Sequence, residues 1–241
     1  MEETAMNDRG WTQRTALILG DEAMEMLSQK HVAVFGLGGV GGSCAEALCR
    51  AGVGKLTIVD NDTVSETNLN RQVVALRSTV GQYKTQALKM RLLDINPACE
   101  IDEKTMFFDK DTAAQFDFSA YDYVIDAIDT VSSKLLLIEC ARAAGTQILC
   151  CLGTGNKLDP TRLRIDAIEK TSVCPLARVM RRELKVRGIK GVKVLWSDEA
   201  PCVPVQQLSE NGRHPPGSVS FVPPVAGMIL AGQAVRDLVG H

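Results

Sequence analysis

The stretch HVAVFGLGGVGG runs from a predicted strand into a glycine-rich turn. Gly36, Gly38 and Gly41 satisfy the pattern G-x-G-x-x-G, and Gly39 adds a further glycine before a predicted helix. Glycines let the backbone approach phosphates closely, and the first amides of the helix are free to bind them. Asp60 ends the next predicted strand, where a carboxylate accepts hydrogen bonds from ribose hydroxyls. The pattern predicts a nucleotide with an unphosphorylated ribose, and NAD, FAD, S-adenosylmethionine and ATP all satisfy it.

Charged and amide side chains follow this turn, and they favour a triphosphate among those ligands. Arg71 and Lys84 supply cations that reacting phosphates require beyond what backbone amides provide. The predicted nucleotide-binding set also includes Asp62, Asn68 and Gln72. Each residue has a structural alternative, such as capping a turn or lying on an exposed helix face. The chain has no G-x-x-x-x-G-K-[ST] motif, which argues against P-loop phosphoryl transfer.

Two aspartates lie at the predicted end of a later strand and indicate a metal. Asp129 closes the stretch YDYVIDAID, and Asp126 shares the same strand end. Carboxylates at the carboxyl edge of a parallel sheet are suited to hold Mg²⁺ beside bound phosphates. We predict that Asp129 is associated with magnesium and take Asp126 as the second candidate. Capping of the following helix is the structural alternative for Asp129.

Alternating strands and helices are predicted to position these residues. Predicted strands lie at 31–36, 55–60, 100–105, 121–129 and 146–153. Predicted helices lie at 12–30, 39–50, 77–94 and 131–144. Strands that are apolar throughout indicate a mostly parallel sheet covered by helices on both faces. The predicted fold class is α/β, with a Rossmann-like, doubly wound, mostly parallel sheet and a smaller C-terminal α+β lobe.

The second half of the chain has a different pattern. We predict a nucleotide-binding region at 1–155 and a C-terminal lobe at 156–241, together forming one integrated domain. The lobe's predicted elements are strands at 162–169 and 192–197, a basic helix at 174–187, a mobile loop at 199–217, and a final strand leading into an apolar helix.

Basic residues are concentrated in this lobe. Between Lys170 and Lys193 the chain carries eight basic residues and one acidic residue. Within the predicted helix, the basic residues at spacings of three and four are Arg178, Arg181, Arg182 and Lys185. That spacing predicts one basic face able to contact nucleic-acid phosphates, with a solvated helix face as the structural alternative.

The amino-acid composition excludes several classes of protein and of site. Hydrophobic residues make up 45% of the chain and the formal net charge is −2, so the whole surface is not built to coat nucleic acid. The eight cysteines form no C-x-x-C pair, which argues against a tetrathiolate zinc site. We expect a reduced, cytoplasmic protein with no membrane span.

The motifs GLGGVGG, LTIVDNDTVSETNLNRQ, VGQYKTQA and VIDAIDT resemble the adenylating domain of the superfamily of ubiquitin-activating, ThiF and MoeB proteins. The resemblance implies that Asp60 binds the ribose, and that Asn68, Arg71 and Lys84 handle the phosphates. It implies that Asp129 is associated with magnesium. Arg14 resembles the family arginine that reaches the partner subunit's nucleotide site, which implies a homodimer.

The second half looks like the C-terminal lobe of the tRNA threonylcarbamoyladenosine dehydratases, a family within this superfamily. The stretches that carry this likeness are SVCPLARVMRRELKVRGIKGVKVLWSDEAP and GSVSFVPPVAGMILAGQAVRDLVG. The resemblance implies ATP-dependent adenylation of the threonine carboxylate of N6-threonylcarbamoyladenosine in tRNA, followed by intramolecular cyclisation with loss of water. Ring closure within one side chain needs no enzyme cysteine after adenylation.

Three alternatives remain open at the level of the sequence. The first is adenylation of the C-terminal glycine of a small sulfur-carrier protein, with a sulfur-transfer partner and a role for Cys174 or Cys202. The second is a redox protein that binds NAD, which leaves Arg71 and Lys84 without a function. The third is a non-catalytic module that senses a nucleotide.

Overall fold

A seven-stranded sheet organises the chain in the computed structural model, which describes residues 10–205 and 216–241. The strands are β1 (His31–Phe35), β2 (Lys55–Val59), β3 (Glu100–Lys104), β4 (Tyr123–Asp126), β5 (Gln147–Cys151), β6 (Leu163–Ala167) and β7 (Lys193–Ser197). Their order across the sheet is β3-β2-β1-β4-β5-β7-β6. All neighbouring strands are parallel except β6, which runs antiparallel to β7. The predicted doubly wound α/β fold is confirmed.

Helices cover both faces of this sheet. They are α1 (Gln13–Leu19), α2 (Asp21–Ser28), α3 (Gly41–Arg50), α4 (Lys84–Ile95), α5 (Val131–Ala143), α6 (Pro175–Val186) and α7 (Val222–Val239). Successive residues of β1 point to opposite faces, so Val34 joins the core beneath α3 and α7, whereas Phe35 joins an aromatic cluster on the other side. Because both faces are buried, the central strands are apolar throughout. None of the helices in the described ranges is both long and apolar enough to cross a membrane.

The order of the strands reverses between β1 and β4, and this creates the crevice in which ligands of such sheets bind. The connection after β1 leads to α3 on one side, and the connection after β4 leads to α5. The carboxyl ends of β1, β2, β4 and β5 therefore lie along one edge. The glycine turn and the acidic strand ends of the sequence meet there.

Two helix predictions were wrong, each because of a glycine. The predicted helix at 12–30 is divided at Gly20, whose φ of 85° is incompatible with a right-handed helix. The predicted helix at 77–94 begins only at Lys84, because Gly81 has a φ of 88° and bonds back to Val64. Lys84 is therefore the first residue of α4 rather than one within the helix.

The strand predicted before the last helix is also absent from the described residues 216–221. Backbone groups of Gly217 and Ser218 pair instead with the side chains of Asn156 and Asn70. The predicted mobile loop at 199–217 falls largely on residues 206–215, which lie outside the described part of the chain. At the fourth strand, regular pairing ends at Asp126, so Asp129 lies on the following loop rather than on the strand.

Close packing of α7 against the start of α3 depends on Gly227. A Cβ there would lie 2.3 Å from the carbonyl oxygen of Val40, whereas a Cβ on Gly232 in the same helix would meet nothing within 4 Å. We expect Gly227→Ala to lower the free energy of unfolding by about 1–3 kcal/mol, as overpacking does. Gly232→Ala should be neutral or stabilising by up to about 1 kcal/mol, because alanine favours a helix. Denaturant titration of both variants measures the difference, and equal effects would contradict this packing role.

Candidate active site

A cavity of about 880 Å³ opens at the carboxyl edge of the sheet, where the strand order reverses. The predicted site residues that line it are Gly36, Gly38, Gly39, Asp60, Asp62, Asn68, Arg71, Gln72, Lys84 and Asp129. Residues far apart in the sequence thus converge on one space. Its size falls within the range of cavities that enclose small-molecule ligands.

The glycines of the turn have different tasks. Gly36 has a φ of 87°, and a Cβ there would lie 2.6 Å from the carbonyl oxygen of Ala127. Gly41 does not line the cavity, and a Cβ there would lie 1.7 Å from the oxygen of Gly36. A Cβ on Gly38 would have only one neighbour, at 3.9 Å, so this glycine leaves space towards the cavity. Gly36 and Gly41 close the turn, and Gly38 leaves open space at the cavity.

Asp60 is held in place by the turn that it faces. Its Oδ2 accepts the backbone N–H of Leu37 at 2.7 Å, and its Oδ1 accepts that of Asp62 at 2.8 Å. Burial raises the pKa of Asp60 above its ordinary value, although Lys84 and the two backbone N–H groups act in the opposite direction. A carboxylate has about four lone-pair sites, so acceptor capacity is left for ribose hydroxyls.

Lys84 provides a buried cation beside this carboxylate. Its Nζ lies 2.7 Å from Oδ2 of Asp62 and 3.9 Å from Oδ1 of Asp60. The backbone N–H of Lys84 also bonds to the carbonyl oxygen of Asp62, which fixes the start of α4 against the loop after β2. The Lys84 side chain is 7% exposed and that of Asp62 is 60% exposed, so the cation is buried while its partner carboxylate is open to solvent.

Arg71 is oriented by its neighbours in the chain. Its guanidinium donates to the carbonyl oxygen of Thr67 at 3.0 Å and to Oδ1 of Asn70 at 2.9 Å. Arg71 is partly buried and lines the cavity next to the glycine turn, with its Cγ 3.4 Å from the position of a Cβ on Gly39. The guanidinium therefore has a defined position at the cavity.

The two amide residues of the predicted set differ in their surroundings. Asn68 accepts the backbone N–H of Ser65 at 3.1 Å and so caps a short turn, which is the structural role that the sequence left open for it. It also lines the cavity. Gln72 is 7% exposed, and its Oε1 has no hydrogen-bond partner among the described residues. A buried amide oxygen without a partner is costly unless a ligand or water satisfies it.

Asp129 presents a carboxylate to the cavity from the loop between β4 and α5. The N-cap position of α5 belongs to Thr130, so Asp129 does not cap that helix. Its Oδ1 receives one long hydrogen bond of 3.3 Å, from Thr130 Oγ1. No group of three or more metal-binding side chains exists in the described ranges, so a magnesium ion here would take most of its ligands from phosphates and water.

Asp126, the second metal candidate, is instead a structural residue. It is fully buried and pairs with the fully buried Lys134, whose Nζ lies 2.9 Å from Asp126 Oδ2. The same Nζ donates to the carbonyl oxygens of Ile128 at 2.9 Å and Cys151 at 2.7 Å. Burial alone would lower the pKa of Lys134, but the Asp126 carboxylate raises it above the ordinary value.

The sequence analysis did not predict this ion pair. A lysine next to the apolar residues of α5 was the signal that a buried acidic partner could be expected. The ion pair connects the loop that carries Asp129 to the end of β5, and the loops after β4 and β5 both line the cavity.

The remaining predicted residues lie outside the cavity lining. Arg14 is exposed on α1. Helix α6 begins at the cavity, which Leu176 in its first turn lines. Arg178, Arg182 and Lys185 lie along this helix, and Arg178 and Lys185 are exposed.

Arg181 departs from the predicted single basic face. It is partly buried, and its guanidinium donates to the carbonyl oxygen of Thr171 at 2.7 Å. Met180 and Leu184, its neighbours on the inner side of α6, are buried in the core, so the position of Arg181 is at the boundary of the apolar face. The Arg182 side chain is 73% exposed but pairs with Glu183 at 2.9 Å.

Cysteine positions bear on the sulfur-transfer alternative. Cys174 precedes α6 as predicted, but it is 3% exposed and packs in the core beneath this helix. Cys150 and Cys151 are buried in β5, as expected for core residues. Cys202 is the exposed cysteine of the described chain.

Comparisons with known proteins identify relatives of this arrangement. The profile of the ThiF family matches residues 12–241. The chain is 44% identical over 236 residues to the tRNA threonylcarbamoyladenosine dehydratase of Bacillus subtilis (strain 168), and the match covers 93% of each chain. It is also similar to a crystal structure of the E. coli tRNA N6-threonylcarbamoyladenosine dehydratase, TcdA, in complex with ATP. The TM-score is 0.88 at 33% identity, and the match covers 96% of this chain and 95% of that chain. The corresponding complex with AMP matches with a TM-score of 0.87 at 34% identity, over 98% of both chains.

Proposed function

Because the chain belongs to the ThiF family, we propose that its cavity binds ATP and activates a carboxylate on tRNA. The enzyme is an ATP-dependent tRNA threonylcarbamoyladenosine dehydratase, as are the relatives that match nearly its whole length. The observation that carries this function is the convergence of the carboxylate of Asp60 with two cations, Lys84 and Arg71, on one glycine turn. A nucleotide that only donates hydride does not need those cations.

The reaction begins with the threonine carboxylate of the modified adenosine. A carboxylate oxygen attacks the α-phosphorus of ATP, the bond from this phosphorus to the bridging oxygen breaks, and pyrophosphate leaves. The carboxylate is already a nucleophile, so no protein base is needed for this step. Lys84 and Arg71 compensate the charge that grows on the departing pyrophosphate, and amides of the glycine turn bind phosphate oxygens.

The second step takes place on the acyl-adenylate. A neighbouring group of the same side chain attacks the activated carbonyl carbon, the bond to the AMP oxygen breaks, a ring closes, and the proton of the attacking group is released to solvent. The substrate has lost one water, and ATP has become AMP and pyrophosphate. Because the attacking group is attached to the substrate, the enzyme gains rate by positioning rather than by supplying a cysteine.

Magnesium is part of the proposal. The exposed carboxylate of Asp129 is a hard oxygen ligand with one long hydrogen bond, and it shares the cavity with the phosphate-binding residues. Asp129 would hold the ion. Magnesium bound there would supply charge neutralisation at the phosphates.

The alternatives fit the molecule less well. Arg71 and Lys84 line the cavity, which leaves an NAD-binding redox protein without a use for them. A sulfur-carrier substrate is not supported by relatives of similar length, whose name is that of the tRNA dehydratase. A non-catalytic module that senses a nucleotide is disfavoured, because such a module would not need all of the charged residues that line the cavity.

A mass measurement tests the proposed function directly. The protein is incubated with ATP, magnesium and tRNA that carries N6-threonylcarbamoyladenosine, and the nucleosides are then weighed. We expect the modified nucleoside to lose one water only when ATP is present, while unmodified tRNA serves as the control. An unchanged nucleoside, together with pyrophosphate exchange that requires a protein ending in Gly-Gly, would instead favour the sulfur-carrier alternative.

We propose that the basic helix α6 contacts tRNA. The helix starts at the cavity, and its exposed basic residues form a charged surface that extends from the cavity outwards. We expect the double change Arg178→Glu and Lys185→Glu to raise the KM for tRNA about tenfold or more at low salt, because each reversal replaces an attraction to a phosphate with a repulsion. The KM for ATP should stay the same.

Arg236→Glu is a control charge reversal, near the end of α7 that lies away from the cavity. Steady-state kinetics measure both KM values, and fluorescence binding titrations at several salt concentrations measure the affinity for tRNA. An unchanged salt dependence in the double variant would remove α6 from the interface.

A homodimer is proposed from α1. This short helix exposes 83% of both Leu17 and Ile18, and Arg14 lies on the same helix without lining the cavity of its own chain. A second copy that covers Leu17 and Ile18 would place Arg14 at the contact between the two chains, as the family resemblance of Arg14 implies.

We expect subunits with Arg14→Ala, mixed with subunits carrying Lys84→Ala, to recover part of the activity that each lacks alone. Mixed dimers then contain one site with both residues intact. No recovery on mixing would indicate sites completed within one chain. A sulfur-transfer partner protein stays a prediction, and the exposed Cys202 is the thiol that such a partner would reach.

A further inference from the structure

Part of the cavity lining is not explained by the nucleotide. Beyond the charged residues, the lining contains Gly153–Gly155 after β5, Leu176 at the start of α6, and the segment Pro216–Ser218 before α7. These residues carry no charged side chain. The uncharged end adjoins the helix that carries the basic residues.

The segment Pro216–Ser218 is held by two asparagine side chains rather than by the sheet. Oδ1 of Asn156 accepts the backbone N–H of Gly217 at 2.7 Å, and the backbone N–H of Asn156 donates to the oxygen of Gly217 at 2.8 Å. On the other side, Nδ2 of Asn70 donates to the carbonyl oxygen of Ser218 at 2.9 Å. These bonds satisfy backbone groups that no strand pairs.

Asn156 adopts an unusual backbone conformation to make these bonds. Its φ is 56°, and in the described ranges only Val173 is another non-glycine residue with positive φ. Asparagine tolerates this region better than most residues, and such conformations concentrate at functional sites. The preceding Gly155 is equally constrained, since a Cβ there would lie 2.7 Å from Cβ of Pro216. Gly155 and Asn156 therefore allow the segment Pro216–Ser218 to pack closely against the chain that follows β5.

The same segment is connected to the phosphate end of the cavity. Asn70 donates to Ser218 through Nδ2 while its Oδ1 accepts from Arg71 at 2.9 Å. One side chain thus sets the position of the uncharged wall and of a cation for the phosphates. A carboxylate lying against this wall would be close to the cation that attends its reaction.

We propose that Asn156 is a positioning residue, which holds Pro216–Ser218 as the wall against which the threonylcarbamoyl side chain of the substrate lies. This inference rests on the proposed function, because it assigns the uncharged end of the cavity to that substrate. The wall presents backbone and small side chains, which suit a short polar side chain attached to a base. Asn156 acts through the segment and not by touching the reacting atoms.

Two substitutions at this position separate its side chain from its backbone. Asn156→Gly keeps the positive φ but removes the acceptor for Gly217, whereas Asn156→Asp keeps both. We expect Asn156→Gly to raise the KM for modified tRNA about five- to tenfold, the scale of one lost hydrogen bond, with the KM for ATP within about twofold. Asn156→Asp should be close to wild type in both. Asn70→Asp, which keeps an acceptor for Arg71 but removes the donor to Ser218, should also raise the KM for modified tRNA.

The measurements are steady-state dehydration of modified tRNA and thermal unfolding of each variant. Equal rises in both KM values, an unchanged KM for tRNA in Asn156→Gly, or an Asn156→Asp variant as impaired as Asn156→Gly would each overturn the inference. Wild-type protein is assayed first. If it does not dehydrate modified tRNA, the proposed function itself fails, and that outcome is distinct from a failure confined to the variants.

Discussion

Replacing Lys84 with methionine is expected to slow ATP–pyrophosphate exchange by about 10²–10³-fold, the cost of removing one preorganised charge from a transition state. The side chain is buried, and its Nζ lies 2.7 Å from Asp62 beside the glycine turn. Charge accumulates on the leaving pyrophosphate during attack, and a fixed cation stabilises it more than mobile water does. Methionine keeps the apolar stem of the side chain and removes the charge.

The fold should survive this substitution. The partner carboxylate of Asp62 is 60% exposed, so it remains hydrated when the lysine is lost. Lys89→Met is the matched control, because Lys89 lies on the same helix and pairs with Glu103 at 3.6 Å, outside the cavity lining. Circular dichroism and exchange assays are compared for the two variants. If Lys84→Met exchanged pyrophosphate as fast as Lys89→Met, Lys84 would have no part in the chemistry.

Replacing Asp129 with asparagine is expected to reduce adenylation by about 10²-fold or more, since it removes the charge of the proposed magnesium ligand. Asn keeps the shape and a neutral oxygen, so the loop after β4 should keep its conformation. The side chain is exposed and does not cap α5, which separates its effect from helix stability. The concentration of magnesium at half-maximal rate should rise.

The measurement is pyrophosphate exchange at a series of magnesium concentrations. Asp94→Asn is the control, because Asp94 is exposed near the end of α4 that lies away from the cavity. Exchange by Asp129→Asn at the wild-type rate and with the wild-type magnesium dependence would remove Asp129 from the site. Loss of the fold in this variant would contradict the placement of Asp129 outside the structural core.

The pair of Lys134 and Asp126 explains why Asp129, and not Asp126, is available to a metal. Removing either member would leave an unpaired charge in the core, which is strongly destabilising. Because Lys134 donates hydrogen bonds to the carbonyl oxygens of Ile128 and Cys151, the loop that carries Asp129 is held in place by the protein core. A carboxylate on a fixed loop needs little reorganisation when its ligand arrives.

Much of the nucleotide end could be predicted from the sequence because its signals are local. The glycines of the turn and Asp60 follow directly from strand ends, and an apolar strand places its last residue at the edge of a parallel sheet. The helix boundaries were less predictable. Gly20 and Gly81 adopt positive φ values that a pattern of apolar residues does not reveal.

Contacts between distant residues were decided by the tertiary structure. Asn156 and Gly217 are joined across the chain, and Lys134 meets Asp126 and Cys151 only because α5 packs against β4 and β5. Arg181 turns to Thr171 although its spacing matched the exposed basic residues.

By itself, then, the sequence determined the fold class, the nucleotide turn and the cations beside it, since short-range steric and periodic rules govern these features. Which polar groups become partners depends on how helices and strands pack, and packing brings together side chains that no local spacing relates. The tertiary structure alone therefore decided which carboxylate is free for a ligand and which is buried in an ion pair.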